Sequence, residues 1–205
     1  SEINGMGPVI RKEDLELLYE QLDTLKDDDV LVLAGSIPSG MPQSIYRDIM
    51  SRLQSKRIKI AVDATKDLLM NVLAYHPFVI KPNNHELSEI FDIMIDSKEK
   101  AVVYAKELQK KGAQNVIVSM AGEGAVFVGS DGSVFTSEAP HGVVKNSVGA
   151  GDSMVAGFLA GYLAKGDYAE AFKMGLCTGS ASAFSDQLAT REEVEQVRRS
   201  HIFDF

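Results

Sequence analysis

The run Lys145-Asn-Ser-Val-Gly-Ala-Gly-Asp-Ser-Met-Val-Ala-Gly-Phe-Leu-Ala-Gly-Tyr-Leu163 holds the residues best suited to chemistry. Gly149-Ala150-Gly151-Asp152 opens an apolar, small-residue helix, so backbone N–H groups and one carboxylate converge at a helix N-terminus, a place to hold an anion. The glycines permit positive φ and a close ligand approach. Asp152 has two open roles. It caps the helix, worth about 0.5–2 kcal/mol, or it accepts a proton from a substrate held against it. A dinucleotide fingerprint does not fit, because no third glycine follows at the required spacing, and no Walker A loop is present.

Three further segments carry candidate residues. Lys81-Pro82-Asn83-Asn84-His85-Glu86-Leu87 leaves an apolar strand. The spacing of Asn83 and Glu86 suits a capping box, and it also aims an amide and a carboxylate at one spot, as a hydrated Mg²⁺ on nucleotide phosphates requires. Lys81 either adds positive charge to those phosphates or snorkels from the strand end. Ser119-Met120-Ala121-Gly122-Glu123-Gly124 is a glycine turn between two strands or a phosphate loop. Gly35-Ser36-Ile37-Pro38-Ser39-Gly40 is a turn rich in breakers at a strand's carboxyl end, the side on which open α/β sheets bind ligands. Asp63 ends a strand on the same rim and is read as a cap for the helix beginning near Lys66, outside the site.

The elements that must position these residues alternate. Leucines at 15, 18, 22 and 25 mark an amphipathic helix over 12–25. Strands follow at 30–34, 58–63, 78–81 and 115–119, separated by helices at about 43–56, 66–75 and 97–112. The alternation predicts a parallel, right-handed βαβ sheet covered on both faces. Ala125–Val128 and Ser133–Thr136, joined by Gly129-Ser-Asp-Gly132, predict a hairpin that ends the sheet in an antiparallel extension. After the Asp152 helix, a second helix over 168–185 is crowded with Gly175, Cys177, Thr178, Gly179, Ser180 and Ala181, small enough for a partner helix or a flat ring to come close. A last helix covers 191–199, and His201–Phe205 reads as frayed. His141 reads as a rim residue.

Composition narrows the class. The chain has 205 residues, 45% of them hydrophobic and 24% charged, which fits one α/β domain over 1–205. A net charge of −8 argues against sequence-independent binding to nucleic acid or to an anionic membrane. The single Cys177 cannot form an internal disulfide, and a reducing, cytoplasmic setting fits. No apolar stretch reaches the roughly 18–20 residues of a membrane span.

Asn-Ser-Val-Gly-Ala-Gly-Asp-Ser-Met-Val-Ala-Gly-Phe resembles the signature of the ribokinase-like (PfkB) carbohydrate kinases, and the likeness extends over essentially all 205 residues. The resemblance implies a three-layer α/β/α fold with a mostly parallel sheet. It implies ATP and Mg²⁺ as cofactors and a sugar phosphate as substrate, in the wording closest to phosphorylation of fructose 1-phosphate to fructose 1,6-bisphosphate. Tagatose 6-phosphate, and a nucleotide-binding module without catalysis, are the alternatives. It casts Asp152 as the base, with Gly149, Ala150 and Gly151 forming the anion hole. Asn83 and Glu86 place the metal, and Lys81, Asn83 and Ser119 through Gly124 line the ATP side. Gly35 and Ser36 lie beside the sugar. The helix over 168–185 walls the adenine pocket. Glu2-Ile-Asn-Gly-Met-Gly-Pro8 sits inside the chain in such kinases, so the resemblance implies a C-terminal portion, without the N-terminal part and lid, of a protein that is a homodimer at full length.

Overall fold

The computed structural model describes residues 7–38 and 40–205; the opening segment Ser1–Met6 and Ser39 of the breaker loop lie outside them. A six-stranded sheet runs in chain order: β1 (Val30–Ala34), β2 (Lys59–Asp63), β3 (Val79–Ile80), β4 (Asn115–Ser119), β5 (Ala125–Val128) and β6 (Val134–Ser137). The first four strands are parallel, and β5 and β6 are antiparallel. This is the mostly parallel sheet with a terminal hairpin that the sequence predicts.

Successive residues of a strand point to opposite faces, so a strand covered on both sides must be apolar throughout. In β4, Val116 and Val118 enter one core, and Ile117 enters the other. The first core lies under α1 (Lys12–Asp23), α2 (Ile45–Leu53), α4 (Asn84–Phe91) and α5 (Lys98–Lys110), with Leu53, Leu69, Leu87 and Leu108 essentially sealed from water. The second is aromatic, built by Phe127, Phe158 and Phe172 beneath α6 (Ala150–Lys165) and α7 (Tyr168–Phe184).

The small residues of α6 and α7 let these two helices meet backbone to backbone. A methyl group on Gly157 would stand 2.7 Å from the Met174 carbonyl oxygen, and one on Gly175 would stand 2.9 Å from that of Met154. Helix packing therefore accounts for much of the small-residue composition of α7.

Two expectations change. The helix over 66–75 is instead a short α3 (Lys66–Met70) followed by a 3-10 turn at Leu73–Tyr75, because the Val72 and Tyr75 N–H groups bond three residues back, to the Leu69 and Val72 carbonyls, and not four. The tail beyond α8 (Arg191–Ser200) has no regular structure but is not loose. Phe205 lies 5.0 Å from Phe135 and 5.4 Å from Phe172 between ring centres, and Lys173 sits over both Phe203 and Phe205. Phe–Phe burial supplies the anchoring that the local pattern did not signal.

Candidate active site

The first turn of α6 is shaped by a left-handed residue. Gly149 is the N-cap at φ 80°, a conformation that L side chains rarely adopt, with the end of the Leu188 side chain reaching over it. The approach is held by Val148 N–H donating to Asn146 Oδ1 at 3.0 Å, an Asx turn. The Ala150 N–H donates to the Ser147 carbonyl and the Ser153 N–H to the Gly149 carbonyl. Between them, the N–H groups of Gly151 and Asp152 have no acceptor among the described residues. Two adjacent free donors at the positive end of a helix can hold an anion.

Asp152 is exposed in this turn, and its side chain makes no capping bond. Of the two roles left open by the sequence, the cap is thus reduced to a charge near the helix dipole, worth about 0.3–1 kcal/mol.

Lys81 backs this turn. It is 6% exposed, with Nζ 3.2 Å from Asp63 Oδ2, so it does not snorkel into solvent. A methyl group on Gly151 would come within 3.0 Å of Lys81 Nζ, which places the ammonium directly against the α6 backbone next to Asp152. Asp63, expected from the sequence to lie outside the site, is the partner of Lys81. Burial pushes its carboxyl above the ordinary range; Lys81 opposes this, and the negative charges of Asp152 and Glu86 add to it. Residues at the ends of β2 and β3 and in the first turns of α4 and α6 therefore share one electrostatic neighbourhood. The available signal was a pair of opposite charges, each ending one of two consecutive predicted strands. The parallel register, Val62 beside Ile80, sets Asp63 beside Lys81.

Asn83 and Glu86 form the capping box: Asn83 N–H donates to Glu86 Oε2 at 2.8 Å and Glu86 N–H to Asn83 Oδ1 at 2.9 Å. Among the described residues no three His, Cys, Asp or Glu side chains enclose a metal position. Mg²⁺ commonly uses one or two carboxylates with phosphate oxygens and waters, and a half-buried Glu86 with one oxygen outside the cap fits that donor set.

Ser119 bridges in register to Asn83, and its N–H donates to the Pro82 carbonyl at 3.1 Å, so the two candidate loops are joined. Ala121–Glu123 make an exposed 3-10 arch closed by Met120 N–H to the Gly124 carbonyl at 2.8 Å. Met120 itself is 3% exposed, with its side chain in the first core, and Gly124 at φ 91° presses on the backbone of Ser137 and Glu138. Of this loop, Ala121, Gly122 and Glu123 are the ones open to a ligand. Gly35 and Ser36 are exposed at the end of β1, where Gly35 N–H donates to the Asp63 carbonyl at 3.1 Å. They share the rim with Asp63. His141 is exposed, as a rim residue would be.

This architecture is that of the ribokinase-like α/β kinases. A family model described as pfkB family carbohydrate kinase matches residues 2–193, and the chain belongs to that family. It is 45% identical over 197 residues to the 1-phosphofructokinase of Bacillus subtilis, covering 96% of this chain and 65% of that protein. It is 28% identical to a D-tagatose-1-phosphate kinase of Bacillus licheniformis, covering 95% of this chain and 64% of the relative. A putative phosphofructokinase from Staphylococcus aureus superposes with a TM-score of 0.91 at 38% identity, covering 98% of this chain and 65% of the other. The chain thus spans about 65% of the length of these relatives. Among the described residues no helix is long and apolar enough to cross a membrane.

Proposed function

We propose that this chain forms the nucleotide-binding part of an ATP- and Mg²⁺-dependent sugar-phosphate kinase that converts fructose 1-phosphate to fructose 1,6-bisphosphate. The observation that carries the reading is the first turn of α6, where two free N–H groups and an exposed carboxylate stand together, backed by the buried Lys81. The sugar hydroxyl oxygen bonds to the γ-phosphorus, the bond to the ADP oxygen breaks, and Asp152 takes the hydroxyl proton. The Gly151 and Asp152 N–H groups stabilise the charge on the transferring group, and Lys81 adds to the field; such a reaction needs positioning and charge neutralisation more than covalent help. Mg²⁺, when bound, neutralises phosphate charge, with Glu86 as its protein-side carboxylate and Asn83 orienting that carboxylate through the cap. Ser119 and Ala121–Glu123 line the nucleotide side, with Met120 and Gly124 contributing backbone alone. Gly35 and Ser36 line the sugar side. Action in the cytoplasm as a homodimer belongs to the same proposal.

ADP release measured with fructose 1-phosphate and, separately, with tagatose 1-phosphate tests the substrate. A clear preference for fructose 1-phosphate is expected from the 45% relative, whereas preference for the tagatose ester would replace that substrate. ATP binding without turnover would support the non-catalytic module instead. Glu86→Gln is expected to raise the Mg²⁺ concentration needed for half-maximal rate by about tenfold, in the range for residues that orient or hold a metal. An unchanged Mg²⁺ titration would reduce Glu86 to its capping role.

A further inference from the structure

The helix pair α6 and α7 has an apolar, glycine-rich interface, yet it contains one buried side-chain hydrogen bond: Ser182 O–H donates to Ser153 Oγ at 2.9 Å, with the two residues 3% and 8% exposed. Packing alone would be served by alanine. A hydroxyl buried there is costly unless partnered. The chain of bonds continues outward, because the Ala189 N–H donates to Ser182 Oγ at 3.1 Å. Ala189 lies in the loop between α7 and α8, and Ser153 directly follows Asp152.

The same loop grips the same turn in two further ways. The end of the Leu188 side chain reaches over Gly149, 2.9 Å from where a methyl group there would stand. In the approach to the turn, Lys145 Nζ meets Asp186 of the loop at 3.0 Å, while the Lys145 and Asn146 N–H groups donate to the Ala183 carbonyl near the end of α7, at 2.8 and 3.2 Å. The far side of the loop is anchored, since Ser185 O–H is shared between the Ala181 carbonyl and Glu193 Oε1 and Thr190 caps α8 through Glu193.

We infer that Ser182 is a positioning residue: through Ser153 and Ala189 it couples the 185–190 loop to the first turn of α6, so that the loop's position sets where the free Gly151 and Asp152 donors point. Its catalytic consequence rests on the phosphoryl-transfer reading above; the coupling itself does not.

Hydrogen exchange on the 205-residue chain, followed by mass spectrometry in wild type, Ser182→Ala, Ser153→Ala and the double variant, reads the coupling without any ligand. In Ser182→Ala the hydrogen-bonded amides of Val148, Ala150 and Ser153 and that of Ala189 are expected to exchange about three- to tenfold faster together, the scale of one net hydrogen bond, while Ser153→Ala, which leaves the Ala189 bond to Ser182 in place, speeds chiefly the first three. Amides in the middle of α7, 171–178, keep their wild-type rates. The double variant adds little to Ser182→Ala, which already removes the Ser182–Ser153 bond. Unchanged exchange over 148–153, or a uniform rise along both helices, overturns the inference. If Ser182→Ala does not fold, Ser153→Ala cuts the same bond from the other side. In a turnover assay the variants are expected to lose about three- to tenfold in kcat with the KM for the sugar phosphate unchanged. The turnover assay is made on the complete kinase of which this chain is proposed to be a part; absence of turnover there would count against the proposed function, while the exchange result would still decide the coupling.

Discussion

Asp152→Asn is expected to lower turnover by about 10²–10⁴-fold while shifting the melting temperature by only a few degrees. On the proposed reaction the loss follows from removing the carboxylate assigned as the base, and it corresponds to about 3–5 kcal/mol of transition-state stabilisation. The small stability change follows from the geometry. Asp152 is exposed and makes no capping bond, so asparagine forfeits only the charge–dipole attraction, about 0.3–1 kcal/mol. Steady-state rates and a thermal melt on the same preparation separate the two roles. A variant with wild-type turnover removes the base assignment, and one that melts far lower returns Asp152 to a structural role.

Lys81→Met should cost about 3 kcal/mol of folding stability at neutral pH, seen as a melt roughly 6–12 °C lower. Lys81 is 6% exposed and pairs with Asp63, whose side chain is 17% exposed. Removing the ammonium strands a carboxylate that burial already holds above its ordinary range, with Asp152 and Glu86 adding like charge. A carboxyl whose folded pKa is raised contributes stability that is complete below its unfolded value, near 4, and is lost as pH rises through the folded value. The deficit of Lys81→Met is therefore largest at neutral pH and shrinks toward pH 4. Lys81→Met combined with Asp63→Asn removes both charges and should recover most of the loss. Equal melts for wild type and Lys81→Met across this range would show that the pair contributes nothing.

The Asp63–Lys81 pair also shows where local reading stops. Each residue is visible at a strand end, and along the chain alone the nearest polar role for Asp63 is a cap for the helix at Lys66. Its partner lies on the neighbouring strand. Asn83 and Glu86 were legible for the opposite reason, since a capping box is closed within one helical turn and spacing alone predicts it. Met120 illustrates the limits of a loop read as a string. It stands between Ser119 and Ala121, both open to the rim, yet its side chain turns into the core. The tail aromatics Phe203 and Phe205 gave no periodic signal because they are held by rings far away in the chain.

Backbone preference and side-chain period over a few residues are enough to specify the alternation of strands and helices, the terminal hairpin, the glycine-rich start of α6 and the local caps. The pairing of Asp63 with Lys81, the closeness of Gly151 to that ammonium, the absence of a capping bond from Asp152 and the hydrogen bonds of Ser182 to Ser153 and Ala189 appear only in the folded chain. Those facts depend on the lateral register of strands and the closeness of two helices, which are set by burying both faces of one sheet at once.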